Sequence, residues 1–287
     1  MTDAVAVSDT VTHQEGINMT DRYARYERLA FDRPHPRVLR ITLRSPLKMG
    51  AMDARMHREV SEIWQDVDAD DSVSAVIITG EGKTFSAGGD LNHERKVCDD
   101  YELRMQAMRE ARNLVTGMLN CRKPIVSAAR GWAVGAGLAC LILADVSIAA
   151  NDAKFSDGHL KIGVAAGDHA SIIWPILCGM AKAKYYLLTA DTFTGEDAER
   201  MNLISLAVPD DEVEARAVEV ASRLAEGAPA ALRWTKMMLN HWIKQAEPIF
   251  DASLALEFIG FAGPEGKEGI DAFLEKRKAN FDPVTAV

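Results

Sequence analysis

The chain has 287 residues and a mass of 31.4 kDa, with 48% hydrophobic and 26% charged residues, enough for a substantial core and ordinary for a globular protein. A formal charge of -9 and a pI near 5.3 argue against general nucleic-acid or anionic-membrane binding, since both need a basic field. No window approaches the ~20 uninterrupted apolar residues of a membrane span, and Cys98, Cys121, Cys140 and Cys178 lack CxxC or His-paired metal spacing, so neither a disulfide framework nor a metal site is expected and a reducing cytoplasm is the expected location.

Residues 1–21 are polar and without pattern, which predicts a flexible tail. Residues 26–43 hold two alternating segments around Pro34 and Pro36, the pattern of a hairpin. A helix follows, with Asp53 placed to cap it and Met56, Val60, Ile63, Trp64 and Val67 at helical spacing. SAVIIT, residues 74–79, is short, β-branched and apolar, as a buried strand is.

GEGKTFSAGGDL comes next, and its glycines either form a plain tight turn or let backbone amides approach a ligand closely. A helix over 99–119 carries Leu103, Met105, Met108, Leu114 and Met118 on a core-facing stripe. PIVSAA is another buried strand. Residues 131–145, GWAVGAGLACLILAD, run strand, glycine turn and small-residue helix in succession, which puts unpaired helix-terminal amides at the carboxyl end of a strand. Such amides suit a developing oxyanion, and the same small residues also let the helix pack close to its neighbours.

VSIAA and a loop carrying Asp157, His159, Asp168 and His169 lead into residues 171–190, read as helices broken at Pro175. Thr194 is placed as a cap, Asp210 opens a further helix, and from there to Arg277 the pattern is almost wholly helical. Titratable groups concentrated beside a glycine-helix turn point to an active site in residues 123–175. His159 is read either as a hydrogen-bonded structural residue or as an acid-base group. Asp168 either orients it or caps the helix starting at His169 or Ala170. Asp157 is read as a turn residue, His169 as a first-turn surface residue, and Asp90 as ordering its own turn.

FSAGGDL at 85–91 and GWAVGAGLACLILADV at 131–146 resemble the paired signatures of the crotonase (enoyl-CoA hydratase/isomerase) superfamily. SPLKMGAM, YYLLTADTFTGEDAERMNLISLAVP and AFLEKRKANF resemble three further motifs of that family, in the same order. The resemblance implies an α/β fold, a crotonase-like spiral of repeated ββα units over 22–209, and a helical region over 210–287 for trimerisation and CoA capping. It implies a homotrimer or dimer of trimers, an acyl-CoA substrate, and no cofactor beyond coenzyme A carried by the substrate. It also implies an oxyanion hole from the backbone amides of Gly89 and Ala136, and substrate or CoA contacts from Lys48, Ala87, Asp90, Leu91, Trp132, Lys276 and Lys278. Met105, Met108 and Trp132 are candidates for the acyl pocket.

Two departures from the family pattern stand out. The paired glutamates of a typical hydratase align with Ala139 and His159, so the catalytic residues are expected to be His159 and Asp168. FSDGH followed by GVAAGDHASIIWP also resembles a superfamily branch that hydrolyses carbon-carbon bonds of β-diketones by retro-Claisen chemistry, through a His-Asp dyad that activates water. The readings are therefore a hydratase/isomerase-type enzyme working through an enolate, a carbon-carbon hydrolase, or a catalytically silent binding and assembly subunit.

Overall fold

A computed structural model describes residues 22–284, so the expected tail at 1–21 lies outside the described residues. The chain opens with a hairpin of β1 (Leu29–His35) and β2 (Val38–Leu43), whose Leu29↔Leu43 and Phe31↔Ile41 pairs set the register. The helix α1 (Ala54–Ala69) starts where Asp53 accepts from the Met56 N–H, and the five apolar residues at helical spacing are all buried. β3 (Ala75–Gly80) then lies parallel to β2.

Two helices, not one, separate β3 from the next strand: α2 (Leu91–Asp99), capped by Asp90, and α3 (Tyr101–Asn120), capped by Asp100. After β4 (Ile125–Ala129) the chain turns at Gly131 into β5 (Trp132–Val134) and the seven-residue α4 (Ala136–Ile142). β6 (Val146–Ala150), β7 (Lys154–Ser156) and a 3-10 turn at His159–Ile162 lead to α5 (Ala170–Thr189). β8 (Phe193–Thr194), α6 (Gly195–Arg200) and β9 (Leu206–Val208) complete the mixed region. Among the described residues the elements that follow are helical: α7 (Val213–Glu226), α8 (Pro229–Lys244), α9 (Glu247–Ala262) and α10 (Pro264–Leu274).

One sheet runs β1-β2-β3-β4-β6-β9, parallel apart from β1, and a smaller one runs β5-β7-β8. The central strands β3 and β4 are apolar without alternation because both faces are covered. Parallel strands deliver their following loops to one end of the sheet, and here those loops interlock. Residues 85–90 pass between two neighbours, with Ser86 bridged to Ala133 and Gly89 bridged to Met52. That threading fixes the FSAGGDL segment against the glycine turn that opens α4.

The break in α5 falls at Gly179, not at Pro175 as the sequence suggests. Gly179 takes φ +75° and ψ 156°, a conformation that side chains disfavour, whereas Pro175 sits inside the first part of the helix. The cap expected at Thr194 is formed, and Asp197 completes it as a capping box. Asp210 opens a three-residue 3-10 turn that passes into α7.

Candidate active site

A cleft of about 830 Å³ opens where the interlocked loops meet α2, α3 and α9. Its floor holds Gly89 and Ala136, brought together although they are far apart in sequence. The Met52 bridge uses the Met52 N–H to the Gly88 carbonyl (2.7 Å) and the Asp90 N–H to the Met52 carbonyl (2.9 Å). Gly89's own N–H therefore points away from Met52. Ala136 is the first residue of α4, where an amide has no preceding helical carbonyl to bond.

Ala87, Asp90, Leu91 and Trp132 also line the cleft, and Lys48 stands exposed at its mouth. Asp90 spends its carboxylate on the first turn of α2, accepting from the Asn92 backbone N–H, the second amide of the helix. Met105 and Met108 do not line the cleft; Ala107 and Ala111 from the same helix do, because the helix presents a neighbouring face. Lys276 and Lys278 are exposed and are not part of the cleft wall, and Arg277 between them is engaged by Glu268 and Glu275.

His159 is buried at one wall of the cleft, and its partner is not the one expected from the sequence. Its Nδ1–H donates to Asp157 Oδ1 at 2.8 Å, because Gly158 (φ +85°) folds the chain back and returns the Asp157 carboxylate onto the ring. A carboxylate only accepts, so in the neutral ring the lone pair is on Nε2. Asp157 is 2% exposed, and besides ordering its turn by accepting from the His159 backbone N–H it holds the His159 ring. Asp168 accepts from His169 instead, through both its backbone N–H (2.7 Å) and Nδ1 (2.6 Å), and does not act as a helix cap. Its Oδ1 lies 3.8 Å from His159 Nε2. His169 is wholly buried, which corrects its reading as a surface residue.

Glu257 completes this cluster. It is a single acidic residue in the apolar run of α9, 3% exposed, with Oε2 accepting from Gly167 N–H (3.1 Å) and Oε1 3.8 Å from His159 Nε2. Burial disfavours the His159 cation, but the Asp157, Asp168 and Glu257 carboxyl groups outweigh it and hold the imidazole well above its ordinary value. Burial and repulsion from Asp168 push Glu257 up. Burial also opposes ionisation of Asp168, but His169 and His159 overcome it and hold its carboxyl below the usual range. The cluster thus stores protons at neutral pH beside an unbonded Nε2. His159, Asp168 and Glu257 place one ligand atom each within 4.8 Å of one another, a donor set able to hold a divalent cation as well as a proton.

The model of the enoyl-CoA hydratase/isomerase family matches residues 35–283. The chain belongs to that family. A probable enoyl-CoA hydratase of Mycobacterium tuberculosis is 31% identical over 267 residues, covering 89% of this chain and 98% of that one. The crystal structure of an enoyl-CoA hydratase/isomerase from Mycobacterium paratuberculosis superposes with TM-score 0.81 and 29% identity over 85% of this chain and 97% of that one. A β-diketone hydrolase from the cyanobacterium Anabaena, bound to (S)-3-oxocyclohexyl acetic acid, superposes with TM-score 0.78 and 25% identity over 86% and 98% of the two chains.

Within this enoyl-CoA hydratase/isomerase family member, the two carboxyl groups that sequence reading missed are Glu257 and Glu94. Glu257 is the one acid in the apolar stretch LALEFIGFA, and that isolation was the available signal; Glu94, within the charged stretch HERK, carried none. Ala139, at the position where the family pattern has its first glutamate, is buried in the core and is not part of the cleft wall.

Proposed function

We propose that the protein hydrolyses the carbon-carbon bond between the two carbonyls of a 1,3-dicarbonyl acyl thioester, of the β-ketoacyl-CoA class. The observation that carries this reading is that acid-base equipment is gathered around one atom, His159 Nε2, while neither family glutamate is present. Syn addition of water across a double bond uses two carboxyl groups flanking that bond. Hydrolytic cleavage needs one base that lends a proton out and returns it.

In this reading His159 Nε2 takes a proton from water as the water oxygen attacks the β-carbonyl carbon. The bond between the α and β carbons breaks, and its electron pair passes to the α carbon and the thioester oxygen. That enolate oxygen is held by the Gly89 and Ala136 amides, which are already in place and gain most as charge develops. The His159 cation returns the proton to the α carbon, leaving a carboxylic acid and a shortened thioester. Asp157 fixes the ring tautomer, and Asp168 and Glu257 stabilise the cation. The branch resemblance and the Anabaena hydrolase likeness support this choice.

Lys48 at the cleft mouth is the nearest candidate for CoA phosphate, with Lys276 and Lys278 serving the cleft from the tail of their own or a neighbouring subunit. Purified protein is to be incubated with acetoacetyl-CoA, crotonyl-CoA and a cyclic 1,3-diketone. Release of acetate and acetyl-CoA from acetoacetyl-CoA, lost by 10²-fold or more in His159→Ala, is the expected result. Hydration of crotonyl-CoA without any carbon-carbon cleavage would replace this reading with the hydratase one.

A further inference from the structure

Beside Gly89 the cleft carries a further carboxyl group that the mechanism above does not use. Glu94 lines the cleft from α2. The residue is half-buried, but its Oε2 is shut off from solvent and meets no hydrogen-bond partner among the described residues. The other carboxyl oxygen lies against Gly89: a methyl group built on Gly89 would come within 1.9 Å of Oε1 and 3.0 Å of the carboxyl carbon. Only a residue without a Cβ leaves the acid this place. An orphaned buried carboxyl oxygen beside a free amide is costly unless something in the cleft completes it.

We propose that Glu94 is a catalytic residue whose carboxyl O–H donates a hydrogen bond to the oxygen of the attacked β-carbonyl. The assignment rests on the hydrolase reading for which carbonyl this is. The attacked β-carbonyl also gathers negative charge, and two backbone amides alone serve only the thioester oxygen. A neutral acid supplies the missing donor without placing a second negative charge against the enolate.

The surroundings support a protonated state. Burial pushes the Glu94 carboxyl up, and the nearby His159 and His57 side chains only partly offset this, while Asp90 and Asp168 add to it. His93 on the same helix faces the same region and is itself held low, first by burial and then by His57, so it adds little cationic character. His57 is drawn away to Glu110, which its Nδ1 meets at 2.9 Å.

Three variants and two readouts test this. Glu94→Gln keeps a donor of the same shape, Glu94→Ala removes it, and Gly89→Ala displaces the carboxyl without deleting it. With acetoacetyl-CoA, Glu94→Ala is expected to lose 10²- to 10³-fold in kcat with little change in KM. Glu94→Gln should stay within about tenfold of wild type. Gly89→Ala should lie between them. The second readout is the infrared band of a protonated carboxylic acid at neutral pH, which should disappear in the Glu94→Gln difference spectrum whether or not acetoacetyl-CoA is cleaved. Absence of that band from wild type, or an unchanged kcat in Glu94→Ala, would overturn the assignment. A band that is present in wild type and lost in the variant, in a protein that cleaves no 1,3-dicarbonyl, would overturn the hydrolase reading and leave the neutral acid standing.

Discussion

Asp157 Oδ1 accepts from His159 Nδ1 at 2.8 Å, and Asp157 Oδ2 lies 4.0 Å from Nε2 of His169. His169 in turn bonds Asp168 through Nδ1, and Asp168 faces His159 Nε2, so two aspartates and two histidines alternate around a closed ring. In such a ring the position of a proton on one member sets the charge on the others. His159 differs from His169 in one respect that matters for chemistry, because only its Nε2 stands at the cleft.

The first prediction follows from that ring. Asp157 is the foremost carboxylate favouring the His159 cation, so its replacement by Asn lowers the pH at which the ring loses its proton. The base form is needed for water activation, so wild-type kcat/KM for acetoacetyl-CoA should rise with pH through a histidine value above the usual one. In Asp157→Asn that rising limb moves to lower pH by about one unit, and the plateau falls by roughly tenfold because the ring is held less firmly. A limb at the same pH in both proteins would show that Asp157 is not the group that sets His159.

A second prediction concerns the wall between α1 and α3. Glu110 accepts from His57 Nδ1, Arg58 Nε and Gln106 Nε2, and although burial opposes ionisation these partners lower its carboxyl to about 2. A depressed carboxyl stabilises the fold above the ordinary glutamate value. That contribution is lost as pH falls through about 2. Glu110→Gln should therefore be less stable than wild type at neutral pH by about 1–3 kcal/mol, with the difference vanishing toward pH ~2. Denaturant unfolding at a series of pH values measures it, and a difference that stays constant down to acid pH would exclude the ionic contribution.

The sequence carries most of the fold because its elements are strongly patterned. Val60, Ile63, Trp64 and Val67 repeat at helical spacing beneath an Asp cap, and β3 and β4 are short apolar runs. That Gly89 and Ala136 both line the cleft agrees with the family resemblance of FSAGGDL and GWAVGAGLACLILADV, which named them, and not with anything that spacing alone gives. The pairing within the polar loop was not legible. The sequence pairs His159 with Asp168 and leaves Asp157 as a turn residue, whereas the hydrogen bond goes to Asp157 through the left-handed turn at Gly158, which spacing does not reveal. Glu257 arrives from a helix whose contact with the loop is made only when the whole chain folds. The break in α5 went to Gly179 because a glycine with positive φ ends helical geometry, whereas a proline early in a helix forfeits fewer bonds.

The last prediction concerns the face of α8. This helix is tied to the body through one side: Lys236 Nζ meets Asp145 Oδ2 at 2.7 Å and the Lys123 carbonyl at 2.9 Å, and Asn240 Nδ2 donates to the Leu119 carbonyl. On its remaining surface Trp234 is 63% and Trp242 67% exposed, with Met237, Met238 and Leu239 exposed beside them. Isolated exposed apolar residues need no explanation, but two tryptophans and three large aliphatic side chains on one helix form the kind of patch that subunit interfaces cover. The patch predicts self-association, and the family resemblance makes a trimer or a multiple of it the expected state in sedimentation. Trp234→Glu combined with Trp242→Glu should shift it toward the monomer, because two charges cannot be buried in an apolar contact without partners. Both substitutions lie on the exposed surface, so the circular dichroism spectrum should be unchanged. A monomeric wild type in analytical ultracentrifugation at micromolar concentration would rule the interface out.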